Sequence, residues 1–105
     1  MSRTIVRYTV KPGSEEHNAE LVRAVYRELA EVQPSGFRYA TYRLHGGRTF
    51  IHIAEQSGNG ETPLSRLKAF REFQAGIRER CESGPTAGPA EQIGRFDPER
   101  GDLLG

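Results

Sequence analysis

The feature of the sequence that most constrains the fold is an apolar stretch near the middle of the chain. Residues 48–55 read Arg-Thr-Phe-Ile-His-Ile-Ala-Glu. Phe50 and Ala54 share one parity of a strand. Ile51 and Ile53 share the other parity, so that both faces of such a strand are apolar. A strand with one face in solvent alternates apolar and polar residues, and this stretch barely does. The pattern therefore predicts a central strand that is covered on both faces.

Hydrophobic periodicity predicts three further strands and two helices. Alternating apolar and polar residues are typical of strands, and apolar residues three and four positions apart are typical of surface helices. The predicted strands cover residues 4–10, 37–44, 48–55 and 90–96, and the predicted helices cover residues 15–32 and 63–81. The predicted buried side of the second helix consists of Leu64, Leu67, Phe70, Phe73, Ile77 and Cys81.

Turn and cap residues separate these elements. Ser14 and Thr62 are the predicted N-caps, and residues 83–85, Ser-Gly-Pro, are predicted to end the second helix. Gly46 and Gly47 predict a tight hairpin between the second and third strands. The second strand carries arginines and is more polar than the third, which is typical of an edge strand.

The order strand, helix, strand, strand, helix, strand predicts the fold class. It is the α+β, ferredoxin-like βαββαβ arrangement, with a four-stranded antiparallel sheet, the first and third strands in its middle, and two helices on one face. The other face would expose the apolar residues of the central strand. We therefore expect a homodimer through the sheet face. Residues 1–97 are predicted to form one domain, and residues 98–105 a polar C-terminal tail.

Charge and cysteine content argue against several classes of partner. Lys plus Arg is 15 and Asp plus Glu is 14, and a net charge of +1 gives no field that favours nucleic acid or an anionic membrane. Cys81 is the only cysteine, which excludes an internal disulfide and fits a reducing compartment. No apolar run has the length of a signal peptide core or a membrane span. We expect a cytoplasmic protein with no nucleic-acid or membrane partner.

The same order of elements also describes an RNA-recognition module, whose third strand stacks bases on aromatic side chains. Residues 50–53 match only the first half of that pattern. Arg48 and Ile53 stand where aromatic residues are needed, and Val6 does so on the first strand. Nucleic-acid binding is therefore the least favoured of the functions considered.

Three segments carry a resemblance to a known family. They are residues 11–13, Lys-Pro-Gly, after the first strand, residues 53–56, Ile-Ala-Glu-Gln, at the end of the third, and Leu67, Phe70 and Phe73 in the second helix. On these, nearly the whole chain resembles the antibiotic-biosynthesis-monooxygenase-like (ABM-like) domains of the dimeric α/β-barrel superfamily. The resemblance implies a homodimer of facing sheets, with a pocket between sheet and helices in each subunit. Characterised relatives include cofactor-independent oxygenases of aromatic polyketides and haem-degrading enzymes.

The chain departs from that family at two positions. Ser57 stands where members often carry an aromatic residue, and Ala69 stands where a helix histidine is common. The haem-degrading branch is a poor match, because the first strand has no asparagine and the second helix has no histidine to hold iron. The resemblance therefore implies no haem, and no cofactor is predicted.

His52 is the candidate catalytic residue, because an imidazole with a pKa near 6.5 serves as a base at neutral pH. A cofactor-free oxygenase needs such a base to convert a phenol into an electron-rich anion. A buried histidine that only hydrogen-bonds a neighbour is the alternative, and it is favoured since the sequence shows no partner acid or base. His17 and His45 are predicted to lie in solvent, so no metal site is predicted. The candidate ligand-binding residues are Tyr8, Tyr39, Tyr42, Phe50, Phe70 and Phe73.

Three functions remain open from the sequence, and two of them are favoured over nucleic-acid binding. One is a cofactor-independent monooxygenase acting on a small aromatic or quinol-like substrate. The other is a small-molecule-binding or structural dimer without catalysis. The family resemblance favours the first function, and the departures at Ser57 and Ala69 favour the second.

Overall fold

The computed structural model of the protein describes residues 2–58 and 62–98. The strands are β1 (Ser2–Val10), β2 (Phe37–Arg43), β3 (Thr49–Gln56) and β4 (Cys81–Pro89), and the α-helices are α1 (Glu15–Val32), α2 (Lys68–Ala75) and α3 (Ile77–Arg80), with a 3₁₀ helix at Pro63–Arg66. The strands form one antiparallel sheet in the order β2-β3-β1-β4. The predicted α+β, ferredoxin-like fold is confirmed, with β1 and β3 in the middle and β2 at an edge.

The helices cover one face of the sheet, and the core lies between the helices and that face. Tyr8 on β1 and Phe50 on β3 are opposite each other in the strand register and are both 2% exposed. Val25 on α1 and Phe73 on α2 belong to the same buried cluster. Side chains of this parity on β1 and β3 therefore point into the helices.

The opposite face of the sheet is not covered by the helices, and it has an apolar centre with Arg3, Arg38 and Glu55 around it. Ile51 and Ile53 on β3 are half-buried, and Ile5 on β1 is opposite Ile53 in the register. Ile5 is 36% exposed and Tyr42 on β2 is 56% exposed. The sequence predicted that β3 is apolar on both faces. Within one chain, the helices cover one of these faces and leave the other uncovered.

The bounds of the first helix agree with the prediction. Its buried residues, Asn18, Ala19, Val22 and Val25, recur at helical spacing. Ser14 occupies the N-cap position without a side-chain cap bond, and the Glu15 carboxylate instead accepts a hydrogen bond from the Gly13 N–H at 2.7 Å. In residues 2–58 and 62–98, no helix has the length and apolarity needed to cross a membrane.

The prediction of one continuous helix over residues 63–81 is wrong. Thr62 does cap the first turn, where its hydroxyl accepts a hydrogen bond from the Leu64 N–H. The backbone is then extended at Leu67 (ψ 130°), and a second break at Gly76 separates α2 from α3. The side chain of Glu28 on α1 starts the new helix, because its carboxylate accepts from the N–H groups of Lys68 and Ala69 at 3.2 and 2.8 Å.

The predicted position of the last strand is also wrong. β4 covers Cys81–Pro89 and pairs with β1 from Val10 opposite Cys81 to Thr4 opposite Pro89. Gly84, predicted to end a helix, lies inside this strand, near two register shifts and so close to β1 that an added Cβ would be 2.9 Å from the Arg7 carbonyl oxygen. The next residue, Pro85, is tolerated within β4 because β4 is an edge strand.

The segment predicted as the last strand, residues 90–96, has no strand structure. Ala90 still donates its N–H to the Arg3 carbonyl at 2.9 Å. Ile93 and Phe96 beyond it are 88% and 71% exposed, so these apolar residues do not pack on the domain. Of the tail predicted at residues 98–105, residues 99–105 lie outside the described part of the chain.

Candidate active site

A pocket lies between the sheet and the second helical region. Its volume is about 240 Å³ and its walls are mostly apolar. The strands contribute Val6, Tyr8, Tyr39 and His52 to its floor, and α2 contributes Phe70 and Phe73 to its roof. Ligand pockets typically have such apolar walls and a few polar groups that fix orientation. The volume of this pocket is slightly below the usual range of roughly 300–1,000 Å³, so it suits a small molecule.

The structure brings together most of the residues predicted for the site. His52, Tyr8, Tyr39, Phe70 and Phe73 all line the pocket. The other two predicted residues lie elsewhere: Phe50 is buried between β3 and α1, and Tyr42 lies on the open face of the sheet. Strand parity explains Tyr42, because it is three residues from Tyr39 on β2 and so points to the opposite side.

His52 lies at the polar end of the pocket and is 4% exposed. Its Nε2 is 2.7 Å from the Tyr8 hydroxyl, and its Nδ1 is 2.6 Å from the Tyr39 hydroxyl. The Thr41 hydroxyl is 3.2 Å from the same Nδ1. Burial lowers the pKa of His52 to about 4. The imidazole is therefore neutral at physiological pH, with one ring nitrogen donating and the other accepting a hydrogen bond.

The two tyrosines that flank His52 are held in their protonated forms. Burial raises the pKa of both Tyr8 and Tyr39 above the ordinary phenol value. The Tyr8 ring stacks on the rings of Phe50 and His52, with centroids 5.5 and 5.3 Å apart. These ring contacts and the hydrogen bonds to His52 and Asn18 position the Tyr8 hydroxyl at the polar end of the pocket.

Two residues that sequence reasoning missed complete the polar cluster. Asn18 on α1 is fully buried and donates from Nδ2 to the Tyr8 hydroxyl at 2.9 Å. Arg80 on α3 is 8% exposed and donates from Nε to Asn18 Oδ1 at 3.0 Å. Both lie on the buried side of their helices, Asn18 in line with Val22 and Val25. A polar residue at an apolar helix position was the signal that could have identified them.

The cluster suits hydrogen bonding to a ligand better than proton abstraction. A substrate phenol has a pKa of about 10, so protonating an imidazole whose pKa is about 4 costs roughly 8 kcal/mol. Both ring nitrogens of His52 also have partners already. His17 and His45 are exposed and lie outside this pocket. In the described part of the chain, no three His, Cys, Asp or Glu side chains gather where they could share a metal ion.

Comparisons with solved structures identify proteins of similar fold. A protein named antibiotic biosynthesis monooxygenase is similar over 89% of this chain and 99% of its own, with a TM-score of 0.70 and 15% identity. A conserved protein from Methanosarcina mazei Go1 is similar over 87% and 91%, with a TM-score of 0.68 and 17% identity. A protein of unknown function from Nitrosomonas europaea is similar over 92% and 93%, with a TM-score of 0.68 and 20% identity.

No protein-family model and no curated protein matches the sequence. The likeness is therefore one of structure at low sequence identity. It confirms the ABM-like fold that the family resemblance implied.

Proposed function

We propose that this protein is an ABM-like homodimer that binds a small aromatic molecule in the pocket of each subunit. The observation that carries the proposal is the pocket itself, which combines apolar walls with a cluster of phenol and imidazole groups at one end. A flat aromatic ring fits between the sheet and the rings of Phe70 and Phe73, whose centroids are 5.9 Å apart. An oxygen on that ring then meets the hydroxyl of Tyr39. Binding of this kind needs no metal or cofactor, and the single cysteine supports a cytoplasmic location.

The homodimer is proposed from the open face of the sheet. Ile5, Ile51 and Ile53 form an apolar surface there that the helices of the same chain do not cover. A second sheet facing it would remove this surface from water, which is the main driving force for stable association. Light scattering at micromolar concentration should report a mass of two chains, and a monomer would contradict the proposal.

A matched pair of variants tests the pocket. Val6 lines the pocket on β1, and its neighbour Ile5 points to the other face of the sheet. Val6→Phe should fill part of the cavity and weaken binding of naphthols, anthrones and quinols by at least roughly tenfold, while Ile5→Phe should leave their affinity close to wild type. Fluorescence titration measures both. Equal affinities in the two variants, or no binding of the panel by wild type, would contradict an aromatic-ligand pocket here.

A cofactor-independent monooxygenase is the second candidate function. The name of one structural neighbour and the hydroxyl cluster favour it, because such a reaction needs the substrate oxygen as an anion that gives an electron to molecular oxygen. With the low pKa of His52, the cluster would stabilise that anion through hydrogen bonds rather than remove its proton.

Oxygen uptake with the same panel separates the two candidates. Turnover by wild type would establish the enzyme, and its absence with every compound that binds would leave the binding function. If His52 were the general base, His52→Gln would reduce the rate by roughly 100-fold or more. A smaller reduction would identify the residue as a hydrogen-bonding group of the pocket.

A further inference from the structure

Arg80 is a buried cation without a compensating anion. Its Nη2 donates to the Phe73 carbonyl at 2.8 Å, and its guanidinium carbon lies 5.2 Å from the centre of the Phe73 ring. Its remaining hydrogen-bond partner is the amide oxygen of Asn18. Among the residues that the structure describes, no carboxylate forms an ion pair with Arg80. Its positive charge therefore acts on the neutral groups that accept its hydrogen bonds, the Phe73 carbonyl and the Asn18 amide oxygen.

Arg80 fixes the direction of the hydrogen bonds that lead from it to the pocket. A guanidinium only donates, so the oxygen of Asn18 must face Arg80 and the amide nitrogen must face Tyr8. The Tyr8 oxygen accepts from Asn18, which leaves its own proton for its other partner, Nε2 of His52. Leaving that buried proton without an acceptor would be costly. Nε2 is therefore the accepting nitrogen of the ring.

The same direction continues through His52 to the pocket. A neutral imidazole that accepts at Nε2 carries its proton on Nδ1, and the Tyr39 oxygen, 2.6 Å away, accepts from it. Because the Tyr39 oxygen accepts from His52, the Tyr39 hydroxyl can donate its own proton in a hydrogen bond to a group outside the cluster. In the part of the chain that the structure describes, His52 Nδ1 is the only side-chain hydrogen-bond partner of the Tyr39 hydroxyl. Tyr39 lines the pocket, so a ligand oxygen there can accept this proton.

We propose that Arg80 and Asn18 act as positioning residues that make the pocket a hydrogen-bond donor site, selective for a ligand with an accepting oxygen such as a carbonyl or a phenolate. The inference rests on the proposed function, since it names the class of aromatic ligand that the pocket takes. It also assigns a role to a buried arginine that makes no contact with the pocket itself.

The tautomer of His52 tests the direction without any ligand. Two-bond nitrogen–proton correlation spectra of the wild-type protein near pH 7 should show the proton on Nδ1. Asn18→Asp should move the proton to Nε2, because a carboxylate accepts from both Arg80 and Tyr8 and so reverses each hydrogen bond that follows. Arg78→Gln changes the net charge by the same amount at an exposed position of α3 and should leave the tautomer unchanged.

Two outcomes of that experiment would overturn the inference. One is a wild-type ring that carries its proton on Nε2, a result that needs no variant to fold. The other is an Asn18→Asp ring that keeps the proton on Nδ1, either as the neutral tautomer or as an imidazolium. A structural role for Asn18 alone would change the melting temperature and leave the tautomer as it was.

Three bicyclic probes of similar size test the selectivity. The first, 1-indanone, only accepts a hydrogen bond, indole only donates one, and indane does neither. Wild type should bind 1-indanone roughly 5- to 10-fold more tightly than indole, the size of one hydrogen bond, and Asn18→Asp should reverse this order. Arg78→Gln should bind as wild type does.

The outcomes separate this inference from the proposed function. If the probes bind but indole is bound as tightly as 1-indanone, or if Asn18→Asp leaves the ratio unchanged, the selectivity is wrong while the aromatic pocket stands. If none of the three probes binds at high micromolar concentration, the proposed function and the selectivity both fail.

Discussion

The two faces of the sheet carry different kinds of apolar residue. The helix-covered face carries the aromatic residues Tyr8, Tyr39 and Phe50, whereas the centre of the open face is aliphatic, with Ile5 and Ile53, and has Tyr42, Arg3, Arg38 and Glu55 around it. Large rings pack with gaps between them and have polar ends, so they can enclose a pocket with oriented hydroxyl groups. Branched aliphatic side chains have no polar group to satisfy, and charged residues around an apolar centre are typical of the rim of an interface. The proposed ligand pocket lies on the first face, and the proposed dimer interface lies on the second.

The largest expected effect comes from charging the open face. Ile53→Asp should dissociate the proposed dimer, because a carboxylate buried without a partner costs several kcal/mol and the symmetric interface contains it twice. Size-exclusion chromatography with light scattering should report a single chain. His17→Asp introduces the same residue at an exposed position of α1 and serves as the control. A dimer of wild-type stability in Ile53→Asp would remove the basis for an interface on this face.

Acid should weaken the helix-covered face through His52. Burial lowers the pKa of His52 from 6.5 to about 4, so the unfolded chain takes up this proton before the folded chain does. The free energy of unfolding should therefore fall as the pH falls from about 6.5 to about 4, by about 3 kcal/mol for this group, and level off below. Urea unfolding across that range measures the slope. His52→Gln should lose the His52 contribution, and an unchanged slope in that variant would contradict the buried neutral ring.

At neutral pH the same substitution should have a smaller effect. His52→Gln replaces a ring that bonds Tyr8 on one side and Tyr39 on the other by an amide that cannot reach both in the same geometry. We expect a loss of about 1 to 3 kcal/mol of unfolding free energy from a buried hydroxyl left without a partner. His17→Gln, on the exposed side of α1, should be neutral. Similar losses in both variants would mean that the His52 hydrogen bonds contribute little.

The smallest effect on stability should come from Tyr26, at the edge of the polar cluster. The Tyr26 hydroxyl is 2.8 Å from the Thr41 hydroxyl, and both groups are only partly buried. Tyr26→Phe should cost about 1 kcal/mol or less of unfolding free energy, because water can replace the lost partner. Chemical denaturation would show it as a small shift of the midpoint. A loss as large as that of His52→Gln would extend the tightly coupled part of the cluster to Tyr26.

Hydrophobic periodicity predicted the helices and strands that have a clear pattern of buried side chains. β3, β1 and α1 have apolar residues at the spacing that burial requires, and their predicted bounds are close to the observed ones. β4 could not be located in this way, because its register depends on backbone pairing with β1 and most of its side chains are exposed. Gly84 within it has the local signature of a helix stop.

Of the candidate site, only His52 and the aromatic residues around it could be predicted from the sequence. His52 stood out as a titratable residue between apolar neighbours, and the aromatic residues beside it followed from the strand pattern. Asn18 and Arg80 are 62 positions apart, and their contact arises only when α3 packs near the start of α1. The sequence shows at most that each is a polar residue on the apolar side of a helix, and only the fold shows that they contact each other.

The carboxylate of Glu28 couples the pocket to the folding of the whole chain. It caps α2 from 40 and 41 positions earlier in the sequence, at a point where α2 has no side-chain cap of its own. An eight-residue helix is too short to persist alone in water. We therefore expect α2 to form only once α1 has docked, so that the roof of the pocket appears in the same cooperative step as the core. Hydrogen exchange should then report the amides of α2 and the Glu28-facing half of α1 opening together.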